Sequence, residues 1–298
     1  MSSWNERVIK EFRENNGKVG GMFEGAPMVV LTTAGRTTGK PHTNPAIYLR
    51  DGDRYLVFGS NLGSPKHPDW YLNMLASAQV TMEIGTEAGQ VKPFAARAVP
   101  LEGEERDRLY ERQCSIDPTF REYQEKTTRT IPVVALHPLD LSKNSERNQM
   151  IGKQLVLHHN ELRAELGRVR DEIERVLAGE PGAGAPPTAD LFEQLRKHCL
   201  TFCYGLQMHH TREDGSFSAF EQQFPDLVPA ITRLREEHEV VERALADFEA
   251  LLGEGLSGDL SDVRKLRDEL DQVVSGLEAH FAYEEEHLLP AVNVTRPS

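Results

Sequence analysis

Two stretches of the sequence repeat one local pattern: His209-His-Thr-Arg-Glu213 and His280-Phe-Ala-Tyr-Glu284 are both H-x-x-x-E. On a helix, a spacing of four sets an imidazole and a carboxylate on one face, about one turn apart. Two further segments of helical periodicity carry His159 (or its neighbour His158) and His238. Buried imidazoles and carboxylates are costly unless paired or coordinated. Two carboxylates with histidines from four helices are the donor set of a non-haem di-iron or di-manganese centre, in which carboxylates bridge two cations and imidazoles cap each. Surface histidines on acidic helices are the competing reading, and it suits one such pair better than two.

A second group of residues suits an anion. Leu31-Thr-Thr-Ala-Gly35-Arg36-Thr37-Thr38-Gly39-Lys40 runs from an apolar segment into a loop of glycines, hydroxyls and two cations. Such a loop offers backbone N–H groups and charge to a phosphate. Gly59-Ser60-Asn61-Leu62-Gly63-Ser64-Pro65-Lys66 is another small-residue loop, and it precedes a helix opening at His67-Pro68-Asp69-Trp70, whose N-terminus could face the same anion. There is no G-x-G-x-x-G fingerprint, no Walker motif and no nucleophile–base constellation for hydrolysis.

The elements that must position these groups fall into two regions. In the first, Met28–Thr33, Asn44–Leu49, Arg54–Gly59, Val80–Ile84, Val91–Val99 and Ile131–Leu136 read as strands. Asp51-Gly52 between two apolar runs signals a hairpin. Helices are expected at Trp4–Glu14, from Trp70, and at Glu102–Gln113. Antiparallel strands with small helices predict a compact β-barrel. In the second region, residues 145–178, 189–214, 226–252 and 261–288 have helical periodicity and are separated by breakers at Gly179–Pro187, Gly215–Pro225 and Gly253–Gly258. That predicts an antiparallel four-helix bundle. The expected fold class is α+β, with a barrel domain at 1–140, a hinge near 140–146 and a bundle domain at 145–293.

Composition bounds the rest. A length of 298 residues predicts two domains. The formal net charge of −13 argues against a sequence-independent nucleic-acid binder. The charge is uneven: residues 1–140 hold 17 basic and 18 acidic side chains, and residues 141–298 hold 17 and 29. There is no apolar run long enough for a transmembrane helix and no signal-peptide pattern. Three cysteines supply no disulfide framework, so a cytoplasmic location is expected. Cys199 and Cys203 read as small core residues. His158, His210 and His287 are expected in solvent or outside the ligand shell, Glu285 and Glu286 on a solvated face. His198 is placed three turns from His209, too far to share its site.

The second region resembles the hemerythrin-like HHE cation-binding family through His159-Asn-Glu-Leu162, His209-His-Thr-Arg-Glu213-Asp214, Glu237-His238-Glu-Val-Val and His280-Phe-Ala-Tyr-Glu284-Glu285. The resemblance implies His159, His209, Glu213, His238, His280 and Glu284 as ligands of two iron ions, with manganese or a mixed pair as the variant. It also implies dioxygen at the metal, in sensing or iron handling. Oxygen-carrying members have two histidines four residues apart on the third helix. Here Glu242 follows His238 at that spacing and Leu234 precedes it, so one imidazole is missing, which favours metal binding over reversible oxygen carriage.

Residues 4–138 resemble the deazaflavin-dependent nitroreductase family, whose fold is the split β-barrel of FMN-binding flavoproteins. The matching strings are Leu31-Thr-Thr-Ala-Gly-Arg-Thr-Thr-Gly, Thr43-Asn-Pro, Pro68-Asp-Trp-Tyr-Leu-Asn73 and Tyr123-Gln-Glu-Lys-Thr-Thr-Arg-Thr-Ile-Pro132. The implied cofactor is coenzyme F-420, with FMN (or haem, as in other split barrels) as the alternative. The implied contacts are Arg36, Thr37, Thr38 and Lys40, then His42, Thr43, Asn44, Pro45, Ala46 and Ile47. Phe58, Gly59, Ser60, Asn61 and Lys66 follow, with Asp69, Trp70, Tyr71, Leu72 and Asn73. Asn61 and His42 stand where the family commonly has Lys and Arg, which either weakens the hold on the anionic tail or leaves Lys66 to compensate. Phe120 and Tyr123 occupy positions the family uses near the substrate. The implied activity is hydride transfer to a quinone, nitro compound or activated alkene. A small-molecule substrate, dioxygen and a second copy of the chain in a homodimer are the expected partners. The rival reading is a non-enzymatic iron or oxygen sensor whose barrel only holds a ligand.

Overall fold

The computed structural model describes residues 3–178, 189–253 and 260–293. The breaker at Gly179–Pro187 and most of that at Gly253–Gly258 lie outside the described residues. The chain forms two compact units, the first of residues 1–140 with 211–219 and the second of residues 141–210 with 220–298.

In the first unit, six strands close into a barrel: β1 (Met28–Ala34), β2 (Pro41–Asp51), β3 (Arg54–Phe58), β4 (Gln79–Gly85), β5 (Val91–Leu101) and β6 (Val133–Pro138). Their order is β1-β2-β3-β6-β5-β4, every pairing is antiparallel, and β4 closes on β1. Asp51 pairs with Arg54 across a two-residue loop in which Gly52 takes φ 63°, so the hairpin forms where Asp-Gly predicts it. Along β1, Val29 and Leu31 point into the barrel core with Met82, Val57 and Leu136, while Met28 and Val30 point outward. The outward pair is covered by Val8, Ile9 and Phe12 of α1 (Ser3–Glu14). The outer faces of β3 and β6 are covered in turn by Leu109, Tyr110 and Cys114 of α2 (Gly103–Ile116) and by Phe120 of α3 (Thr119–Glu125). Burial on both faces is why these strands read as continuous apolar runs rather than alternating ones. A short helix, α4 (Asp69–Ala76), precedes β4 and plugs the barrel with Trp70 and Met74.

The helical region departs from four equal helices. After α5 (Ser145–Ala178) comes α6 (Ala189–Gln223), which runs unbroken through Gly215. That glycine is a close-approach position rather than a breaker: a Cβ there would lie 2.7 Å from the Ala95 backbone nitrogen. Around it, within the first unit, Thr81 Oγ1 donates to the Thr211 carbonyl and Ser218 Oγ donates to the Pro93 carbonyl. α7 (Val228–Gly253) follows. The expected fourth helix is two, α8 (Leu260–Val274) and α9 (Leu277–Ala291), divided at Gly276, which takes φ 88°. The core of the second unit is built from Val169 and Ile173 of α5, Phe202 and Leu206 of α6, Phe248 of α7, Leu266 of α8 and Phe281 of α9. Cys199 and Cys203 lie in this core, and burial pushes the Cys199 thiol up to about 12 and Cys203 higher still.

Candidate metal centre and cofactor loops

Four helices bring seven donors together in two sets. His210, Glu213, His238 and His280 form one; His159, His209, Glu213 and Glu284 form the other. Within each set one ligand atom per residue lies within 4.8 Å of all the others, and every residue is buried. Glu213 belongs to both because of helix geometry. It stands four residues after His209 and three after His210, so its carboxylate projects over the turn that carries both rings. His159 Nε2 is 3.3 Å from Glu284 Oε2, and His280 Nε2 is 3.9 Å from the same oxygen.

The chemistry of these donors fits a pair of cations. Burial, with the neighbouring imidazoles, holds His209 and His210 well below the ordinary histidine value. Burial also lowers His280, against the opposing pull of Glu284 and Glu237. For Glu284, burial acts upward, but His159, His280 and His238 outweigh it and bring the carboxyl below its ordinary value. Both directions favour neutral imidazole and ionised carboxylate, the forms that ligate a metal. His210 Nε2, His280 Nε2 and both Glu284 oxygens make no hydrogen bond among the described residues, although all are buried. The far side of two rings is already fixed. His159 Nδ1–H donates to Glu285 Oε1 and His280 Nδ1–H donates to Glu237 Oε2, each at 2.7 Å. A ring nitrogen bonded to a carboxylate behind it turns the other lone pair toward a metal.

Two of these residues differ from the sequence expectation, and the sequence does not single out a third. His210, expected in solvent or outside the ligand shell, is 5% exposed and sits in the first set. Glu285, expected on a solvated face, is 5% exposed and holds His159. Glu237, which the sequence marks only as the residue before His238, holds His280 from 43 positions away. Glu242 is exposed and lies in neither set. His198 is exposed and hydrogen-bonds Glu172. His287 is half-buried, donating from Nδ1 to the Tyr283 carbonyl.

In the barrel unit, the two candidate anion loops are fastened by a few side chains from neighbouring elements. Buried Asn73, on α4, accepts from the Arg36 backbone N–H through Oδ1 (3.1 Å) and donates through Nδ2 to Thr33 Oγ1 (3.1 Å). The Arg36 guanidinium pairs with Asp69 at the start of α4 (3.0 Å). The loop closes on itself through Gly35 N–H to the Lys40 carbonyl, and Lys40 N–H donates to Thr38 Oγ1. The second loop is gripped by Arg129, which donates to the carbonyls of Ser60 (2.7 Å) and Ser64 (2.9 Å). Gln124 in turn holds the Arg129 carbonyl (2.8 Å). Gly59 and Gly63 lie so close to Pro132 and Lys126 that a Cβ would meet them at 2.7 and 2.8 Å. Asn61 donates from Nδ2 to the Lys66 carbonyl (3.0 Å), and both Asn61 and Lys66 are exposed.

The remaining candidates divide by burial. Thr37, Thr38 and His42 are exposed; Thr43, Asn44, Pro45, Ala46, Ile47, Tyr71 and Leu72 are half-buried. Thr43 Oγ1 lies 3.1 Å from Thr32 Oγ1. Phe58 and Trp70 are core residues. Phe120, at 4% exposed, packs edge-on against Phe58 and Tyr123 and forms a wall with no reactive group of its own. Tyr123 is half-buried, and burial with the nearby Asp117 and Glu122 raises its hydroxyl above the ordinary value.

A family model described as F420H(2)-dependent quinone reductase matches residues 4–138. An F420H(2)-dependent quinone reductase of Mycobacterium tuberculosis is 36% identical over 129 residues, covering 42% of this chain and 83% of that protein. The chain belongs to the F420H(2)-dependent quinone reductase family. It is thereby an oxidoreductase, and this reductase carries a second module: a model described as hemerythrin HHE cation binding domain matches residues 150–292. Among solved structures, an F420-H2 dependent reductase (FDR-A) is 36% identical and covers 37% of this chain and 93% of that one, at a TM-score of 0.33. No helix of the reductase is long and apolar enough, among the described residues, to cross a membrane.

Proposed function

We propose that the barrel binds reduced coenzyme F-420 between the two loops and reduces a quinone. The observation that carries this is the Gly35–Lys40 loop pinned by Asn73 beside the α4 N-terminus, in a region matched by the quinone reductase model. When bound, the reduced deazaflavin supplies a hydride equivalent. The chain's part is to bind, orient and exclude water. Arg36, Lys40 and Lys66, with the hydroxyls of Thr37, Thr38 and Ser60, meet the anionic phosphate and tail of the coenzyme. The backbone from His42 to Ile47, with Tyr71 and Leu72, would hold its ring, and Phe58, Gly59, Asn61 and Trp70 would support that site from the neighbouring loop and helix. Tyr123, kept protonated, donates a hydrogen bond to a substrate oxygen, with Phe120 backing it. Titration of the purified protein with reduced F-420 and with FMN tests this. Saturable F-420 binding with quinone turnover is expected; binding of FMN alone would contradict it.

The same reading gives the bundle two iron ions held by His159, His209, Glu213, His238, His280 and Glu284, with dioxygen or redox state as the input. The observation supporting it is that Glu213 falls in both donor sets. Metal analysis after anaerobic loading with Fe(II) and with Mn(II) is the test. Two equivalents of iron and the visible absorption of a ferric centre on air exposure are expected, and retention of both metals by His209→Ala and His280→Ala would sink the assignment.

A further inference from the structure

We propose that His210 is a metal ligand, supplied by the second helix of the bundle in place of an imidazole that the third helix lacks. The inference rests on the two-metal reading of the bundle and concerns only how its imidazoles are shared out. The third helix, α7, brings a single histidine to the donors. Four residues after His238 is Glu242, which is exposed, and four before is Leu234, which is fully buried in the apolar interior. Neither can ligate at that height.

Adjacent residues on a helix diverge by about 100°, so His209 and His210 cannot serve one cation from one face. The structure uses the divergence. His209 turns to His159, with ring centroids 4.9 Å apart, and His210 turns to His238 and His280, at 4.1 and 5.5 Å. Among the described residues His210 Nε2 has no hydrogen-bond partner, it has almost no exposure, and it lies within 4.8 Å of donor atoms of Glu213, His238 and His280. A ring present only for packing against His238 would have no reason to aim a buried lone pair at three other donors, and phenylalanine would fill that place at lower cost. The resulting division is three imidazoles on one cation and two on the other, with Glu213 common to both.

Two variants separate coordination from stacking. His210→Phe keeps a flat ring against His238 and removes Nε2; His210→Ala removes both. His198→Ala, altering an exposed ring outside both sets, is the reference. Full-length protein is stripped of metal, loaded anaerobically with Fe(II), desalted and assayed for iron, with helical circular dichroism recorded in parallel. The wild type and His198→Ala are expected to keep two irons, and both His210 variants to lose one or bind it at least about tenfold more weakly. Two irons held by His210→Phe with unchanged affinity would overturn the proposal. Should the variants fail to fold, the wild type decides: loaded with Co(II), its shifted exchangeable imidazole N–H proton signals number five if His210 ligates and four if it does not. A wild type that holds fewer than two metals defeats the underlying two-metal reading and this proposal with it.

Discussion

At the scale of single residues, the carboxylates behind the proposed metal donors call for tests separate from those of the donors themselves. Glu237 and Glu285 accept the Nδ1–H of His280 and His159, which fixes the tautomer and the ring plane of each. Loss of such a partner weakens metal binding by about 10–100-fold. Glu237→Ala is therefore expected to weaken the cation served by His280, and Glu285→Ala the one served by His159, as read by competition with a chelating dye. Equal weakening of both cations by either variant would contradict the pairing. These residues also mark where sequence reasoning stops. His209, Glu213, His280 and Glu284 announce themselves by a spacing of four, because that spacing is one helical turn. Glu237 meets His280 across two helices, and no spacing within one segment encodes that. His210 was hidden for a related reason: its neighbour His209 satisfies the period, so His210 reads as the other face.

At the scale of elements, the barrel was legible wherever a turn carried its own chemistry and obscure wherever packing decided. Asp51-Gly52 fixed a hairpin from local sequence alone. The helix Thr119–Glu125 was not foreseen, since Phe120 and Tyr123 give it only two apolar positions, too few to show a period. Gly215 and Gly276 invert the usual expectations. The first sits inside a helix because β5 backbone comes within 2.7 Å of where a Cβ would be. The second divides a helix because its φ of 88° ends one segment and starts the next. Gly276→Ala forces a side chain into that left-handed conformation and is expected to cost about 1 kcal/mol by urea denaturation; unchanged stability would mean that α8 and α9 tolerate a different junction. Arg129 makes an analogous prediction for the loops. Its guanidinium spans the Ser60 and Ser64 carbonyls, so Arg129→Leu removes two charge-assisted hydrogen bonds while keeping much of the buried stem. F-420 affinity is expected to fall at least about tenfold, since each hydrogen bond to a charged group contributes about 1.5–3 kcal/mol, with the barrel's circular dichroism retained. An unchanged dissociation constant would remove Arg129 from the coenzyme site.

At the scale of the whole molecule, the charge is the property the two regions share least. Residues 1–140 are nearly neutral, with 17 basic and 18 acidic side chains, whereas residues 141–298 carry 17 and 29. Excess negative charge destabilises a compact state by self-repulsion. Two of those carboxylates, Glu213 and Glu284, are moreover buried among imidazoles. Without cations the bundle bears both costs; with them, the buried pair is compensated at its own position. Metal removal should therefore lower the bundle's melting temperature. A single metal held at a hundred times its dissociation constant contributes about 2.7 kcal/mol of stability. Screening by salt must be told apart from occupation of the site. Sodium chloride weakens the general repulsion between exposed groups but reaches a buried pair poorly. The stripped protein, melted in the presence of a chelator, is thus expected to recover only part of its stability in high salt. Stoichiometric Fe(II) or Mn(II), added at constant ionic strength after the chelator is removed, should restore the remainder. If sodium chloride alone restored the full melting temperature, the acidity of residues 141–298 would be a surface effect, and the buried carboxylates would need no cation to hold them.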